Sequence, residues 1–221
     1  MPPIDRPARV RVGLAASLVP VLILLLMAWQ AVGSLRDEML VHGEIQARDQ
    51  QAAGAPALDP AAVLAPSELP ARAALIEGLI QARMAARLSG ALRARRLASA
   101  HLFLARAMGA RPEWGEAWVV AAYIALLEQG AAAPETRTAF AHSLRAAPYL
   151  YDSAPWRISY GLQFWPLLDT ETRTRIVREA VWLGRLGPTN AKMVGAMVSG
   201  TPAAQAYDAG LAAVRSAAAG E

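Results

Sequence analysis

The 221-residue chain is 55% apolar with a formal charge of +4, enough for one ordinary domain with a sizeable core plus an additional segment, and this excludes disorder over most of its length. It contains no cysteine, which excludes a disulfide framework, a thiolate nucleophile and any Cys-based zinc or iron–sulfur site. Alanine dominates, β-branched residues are sparse and Lys192 is the only lysine among many arginines, so intrinsic propensity points to an all-α fold encoded by a GC-rich bacterial gene.

Residues 1–11 form a tail carrying Arg6, Arg9 and Arg11. Residues 12–35 contain no charge and centre on the run Val21 to Met27, long enough to cross a bilayer core of about 30 Å as one helix. Arg36, Asp37 and Glu38 follow with net negative charge. The positive-inside bias therefore places the N-terminus in the cytoplasm and the rest of the chain in the periplasm, anchored in a bacterial inner membrane. A cleavable signal peptide is the competing reading, because Ala31-Val32-Gly33 resembles a cleavage site. The apolar run is longer than the about 7–15 residues of a signal core, which favours a retained anchor.

Residues 36–70 read as a polar, then Pro/Ala-rich tether, in which Pro56, Pro60, Pro66 and Pro70 break any long helix and keep the chain extended. From 71 to 221 the pattern is helical. Leu75, Ile76, Leu79, Ile80, Met84 and Leu88 mark one helix and Leu92 to Met108 a second, meeting near Ser89-Gly90. Trp118, Tyr123, Ile124 and Leu127 mark a third that ends at Gly130, and Pro134 sits in the first turn of the next, whose apolar face carries Phe140 and Leu144. Ser153 with Pro155 opens a further helix, and Asp169 is an N-cap for Thr170 to Leu186. Thr189, and Thr201 with Pro202, start two short terminal ones.

Helices in pairs suggest an internal repeat, and Pro112, Pro148 and Pro188 close units 36 and 40 residues apart. Leu104, Ala107 and Ala100 before the first of these, and Phe140 and Ser143 before the second, occupy the large and small positions of a tetratricopeptide unit of 34 residues. Trp118 stands where the next unit's tryptophan is expected. This resembles a tetratricopeptide-like array of antiparallel helical hairpins over 71–188, with Ala122 and Ala125 departing from the usual glycine and tyrosine. A looser α-α bundle is the alternative.

In the second half, Arg157 and Gly161 precede Phe164-Trp165-Pro166-Leu167-Leu168, and Thr172-Arg173 and Arg178-Glu179 follow. Over 117–188 this is similar to the VpsP-like single-anchor accessory proteins of bacterial exopolysaccharide biosynthesis. The resemblance implies a role in assembling or exporting a surface polysaccharide and transfers no catalytic residue.

Few residues suggest chemistry. His42, His101 and His142 are the only histidines, and no pair has the close helical spacing of a metal site. No Gly-x-Ser-x-Gly or similar elbow offers a nucleophile. Asp152, Asp169, Glu171 and Glu179 lie among aromatics and form the most enzyme-like set, since paired carboxylates run glycoside chemistry. Local roles account for three of them: Asp169 as a cap, Glu171 at a positive helix start, and Glu179 on a solvated face beside arginines. Tyr149, Tyr151, Trp156 and Arg157 are candidate contacts to a partner or a glycan, although Trp156, Tyr160 and Phe164 also follow a core stripe. Eight arginines against the single acid Glu77 between Arg72 and Arg111 give a candidate basic patch of Arg83, Arg87, Arg93, Arg95 and Arg96. Its expected counterpart is lipid head groups, an acidic partner or an acidic polymer rather than nucleic acid, and a merely solvated helix face is the commonest explanation of such a patch.

The expectation is a non-enzymatic, cofactor-free scaffold that binds proteins of an envelope assembly and, through the resemblance, serves polysaccharide biosynthesis or export. The alternatives are a periplasmic carbohydrate-active enzyme and a structural subunit of an unrelated membrane complex.

Overall fold

The computed structural model describes residues 38–39 and 65–219, and every regular element among them is helical. The expected span at 12–35 and most of the tether lie outside the described residues, among which no helix is long and apolar enough to cross a membrane. The chain divides into two units, 1–62 and 63–221, and the helices described below belong to the second.

That unit opens with a short 3₁₀ turn, Pro66–Glu68, and eight α-helices follow among the described residues. They are α1 (Ala71–Ala85), α2 (Gly90–Ala110), α3 (Gly115–Gln129), α4 (Pro134–Ala146), α5 (Ala154–Gln163), α6 (Thr170–Gly184), α7 (Pro188–Val198) and α8 (Ala204–Ala219). Residues 65–70, read from sequence as the end of the tether, belong to this packed unit: Leu69 is buried at 1% exposure, and the 3₁₀ turn contacts α2. An apolar side chain among the prolines is what draws the segment in.

Helix boundaries follow local chemistry. Pro134 and Pro188 begin their helices, where a missing N–H costs nothing. Gly130 terminates α3 with φ 84°, a left-handed conformation that glycine adopts without a Cβ clash. Asp169 caps α6: its Oδ1 accepts from the Thr172 amide at 2.7 Å and its Oδ2 from the Thr172 hydroxyl at 2.9 Å. α6 ends at Gly184 rather than Leu186, and α8 is a full helix rather than a short one.

The Thr172 amide is the main reason that the Asp169 carboxyl is held below its ordinary value. Asp169→Ala is expected to lower stability by about 1 kcal/mol at neutral pH. A depressed folded value means the contribution is fully present above the ordinary aspartate value of 3.8 and lost as pH falls through the lower folded value. Urea midpoints of the two proteins should therefore differ at pH 7 and converge on acidification; a gap that persists at the lowest pH would refute the cap.

Three successive pairs, α1 with α2, α3 with α4 and α5 with α6, lie side by side, while α7 and α8 each pack on α6. Gln81 on α1 meets Arg96 on α2, Trp118 on α3 meets His142 on α4, and Arg157 on α5 meets Glu179 on α6. Gly184 and Gly210 bring α6 and α8 together against Tyr207 and Val181. Several crossings are too close for a side chain: a Cβ at Gly115 would lie 2.3 Å from that of Ala147, and one at Gly161 would lie 2.3 Å from Ile176 Cδ1.

The core runs along the chain in three linked clusters. Leu75, Leu97, Leu104, Val120 and Ile124 join α1, α2 and α3. Ala122, Phe140, Leu144, Tyr160 and Ile176 join α3, α4, α5 and α6, and Ile158, Ala180, Leu183, Val194 and Tyr207 join α5 to α8. α3 thus serves the first two clusters, while α5 and α6 serve the last two.

Candidate functional site

The loop between α4 and α5, residues 147–153, rests on a wholly buried ion pair. Arg157 of α5 is 0% exposed and Glu179 of α6 is 2% exposed, with Arg157 Nη2 donating to Glu179 Oε1. Arg157 Nη1 also donates to the backbone oxygens of Ser143 and Ala147, each at 3.0 Å. These carbonyls end α4, where a helix has no internal donors left and where a cation suits the helix dipole. Both residues depart from their sequence reading: Arg157 is not a surface contact, and Glu179 does not lie on a solvated face. Each sits on the apolar stripe of its helix and is drawn inwards with it.

Burial pushes the Glu179 carboxyl above its ordinary value, opposed by the Arg157 charge and by the backbone N–H groups of Leu150 and Tyr149. Tyr149 takes a left-handed conformation, φ 67°, which for a residue with a bulky side chain costs on the order of 1–3 kcal/mol. The turn places its amide and the next one toward Glu179. Two polar atoms of the pair, Arg157 Nε and Glu179 Oε2, have no hydrogen-bond partner among the described residues.

Above the pair lies a cleft of about 140 Å³ lined by Leu144, Pro148, Tyr149, Arg175, Arg178 and Glu179. The Tyr149 ring is 45% exposed and leans on Trp182, with centroids 5.4 Å apart. Arg175 is bound to Glu171 one turn earlier on α6, at 2.8 and 3.0 Å. Arg178 is exposed and has no partner among the described residues. Of the remaining aromatic candidates, Tyr151 is 57% exposed, whereas Trp156 is half-buried and stacks on Tyr160 at 5.4 Å. The structure therefore keeps Tyr149 and Tyr151 on the surface, assigns Trp156 and Arg157 to packing, and adds Arg178.

The basic candidates separate in the same way. Arg83, Arg87 and Arg95 are exposed. Arg93 donates to the Leu127 carbonyl at the end of α3, and Arg96 Nη1 donates to Gln81 Oε1 at 2.8 Å, so both serve helix contacts. A wider groove of about 540 Å³ lies between α2 and α3, flanked by Arg93, Leu97, His101, Leu127 and Glu128. His101 Nε2 lies 2.9 Å from Glu128, and His142 lies 3.0 Å from Glu113 while its ring rests on Trp118 at 4.0 Å. His42 falls outside the described residues, among which no three His, Cys, Asp or Glu side chains gather as a metal site would require.

Asp169 and Glu171 are occupied as cap and ion-pair partner, and Asp152 is exposed on the loop. The arrangement offers recognition chemistry: an aromatic face and an uncommitted guanidinium at one small cleft. Comparison with protein-family models, curated proteins and solved structures finds no match.

Proposed function

We propose that the protein is a binding scaffold of the bacterial envelope, built as a tetratricopeptide-like stack of helical hairpins. Residues 12–35 anchor it in the inner membrane with the N-terminus in the cytoplasm. The helical unit stands in the periplasm and positions other components of an assembly that makes or exports polysaccharide. It acts as a recognition surface, without a cofactor and without turnover.

The observation that carries this reading is the serial core, in which each cluster shares helices with the next as stacked repeats do. The spacing supports it in the second half: Pro188 follows Ala154 by 34 residues, and Ala204 follows Thr170 by 34, the tetratricopeptide period. Fully buried small residues at helix contacts, Ala100, Ala107, Ala122 and Ser143, agree with it. The polysaccharide assignment rests on the sequence resemblance over 117–188, and the anchor on the uncharged run at 12–35.

Tagged full-length protein captured from native membranes after mild crosslinking is expected to bring polysaccharide synthases or export proteins with it. Recovery of an unrelated membrane complex instead would keep the scaffold and discard the polysaccharide role. Turnover of a polysaccharide by the purified protein would replace the scaffold with an enzyme.

A further inference from the structure

Helix α2 has two faces that differ in kind. Its inner face, Leu97, Ala100, Phe103, Leu104 and Ala107, is buried. On the outer one Leu92, Arg95, Ser99, Leu102 and Arg106 recur every three or four residues. Leu92 and Leu102 are each 63% exposed, more than any other leucine among the described residues. Arg95 and Arg106 are exposed and make no ion pair among the described residues. The helix itself contains no acid, and the carboxylates of its neighbours are occupied: Glu77 of α1 is buried and accepts from Gln81, and Glu128 of α3 lies against His101.

The charge of the helical unit is concentrated here. Residues 71–111 carry eight arginines and one acid, a formal +7, whereas residues 112–219 carry nine basic and nine acidic side chains and are neutral. A face that is merely solvated needs the charge but not two open leucines. Those leucines stand about 15 Å apart along the helix axis. None of the five outer residues lines the groove between α2 and α3, so the stripe presents pegs and no socket. A polysaccharide would pair with the arginines and leave the leucines in water. A fluid apolar layer admits such pegs without a shaped counterpart, while the guanidiniums on their apolar stems reach its phosphates.

We propose that the outer face of α2 rests on an anionic lipid surface, with Leu92 and Leu102 entering the head-group boundary and Arg95 and Arg106 on lipid phosphates. Arg83 and Arg87, exposed towards the adjoining end of α1, add attraction at longer range. The contact goes beyond the scaffold reading and rests on it only for proximity. Residues 36–64, between the expected anchor and the described unit, can span at most about 100 Å, so the membrane that holds the anchor is within reach.

The chain has no cysteine, so Leu102→Cys and, as a control on the α4–α5 loop, Tyr151→Cys can each carry one environment-sensitive fluorophore. Labelled full-length protein is placed in bilayer discs of phosphatidylcholine, alone or with phosphatidylglycerol. The label at 102 is expected to shift to the blue only in the anionic discs and to return as salt is raised, while the label at 151 stays unchanged. In the protein labelled at 102, Arg95→Gln/Arg106→Gln should lower the ratio of docked to free unit roughly thirtyfold, the product of two arginines' attraction to such a surface. Leu92→Ser should lower it about tenfold, which attraction of charge alone would not produce. All three positions are exposed, and circular dichroism should show the fold unchanged. An unshifted label at 102 in anionic discs, an equal shift at 151, or a shift indifferent to these substitutions would overturn the proposal. So would a shift that needs added membrane proteins, which would make the partner an acidic protein. Release of the protein from phosphatidylcholine discs would instead refute the anchor at 12–35, and the label at 102 on anionic vesicles would still decide the contact.

Discussion

Arg157→Ala is expected to lower the stability of the helical unit by about 3–5 kcal/mol, because it leaves the Glu179 carboxylate buried with no cation. The loss exceeds that of an exposed pair for two reasons visible in the geometry. The guanidinium also satisfies the last carbonyls of α4, and its contact with Glu179 holds the loop that carries Tyr149. Without Arg157 the Glu179 carboxyl is pushed up further. A raised folded value contributes stability that is fully present below the unfolded value of 4.5 and is lost as pH rises through the folded value. The deficit of the variant should therefore narrow as the pH is lowered from 7 towards 4.5, in urea unfolding followed by circular dichroism. The double variant Arg157→Met/Glu179→Leu, which removes both charges, should recover part of the loss and not all of it, because the Ser143 and Ala147 carbonyls still lack their donor. A single variant within about 1 kcal/mol of the parent would show that the pair contributes little beyond ordinary surface ion pairs.

Phe140→Ala should cost a similar amount, about 3–5 kcal/mol. Phe140 is 0% exposed, and its ring lies 4.4 Å from that of Tyr160 and 6.2 Å, edge-on, from that of Trp156. It therefore joins α4 to α5. Loss of the ring weakens the second cluster, while the first is reached only through α3. Amide hydrogen exchange should show protection falling most in α4 and α5 and least in α1 and α2. A uniform fall across all eight helices would mean that the unit opens as one block, against a serial core.

The helical class and most helix ends were legible because local chemistry sets them. Gly130, Pro134, Asp169 and Pro188 stand at helix ends, each for a reason confined to a few neighbouring residues. The site was harder to read. Arg157 and Glu179 are 22 residues apart, and charge on a helix ordinarily points outward. A signal did exist: Arg157 lies between Ala154, Ile158 and Gly161, and Glu179 between Ile176, Ala180 and Leu183, so each interrupts an apolar stripe at helical spacing. Two opposite charges on inward-facing stripes of neighbouring helices are a candidate buried pair. The left-handed Tyr149 left no such mark, because its conformation answers to amide groups turned towards a carboxylate on another helix.

The linked clusters also bear on how quickly the fold can be reached. Every major helix contact joins elements adjacent or nearly adjacent in the chain, so little loop entropy is lost before a contact forms. Such a chain is expected to fold fast, on the order of microseconds to milliseconds, as helical proteins of low contact order do. It can also begin before synthesis ends: α1, α2 and α3 complete the first cluster by Gln129, while the residues of the last cluster are still to be made. An elongating chain can therefore bury its first apolar surface early, leaving little of it exposed to aggregation at any moment.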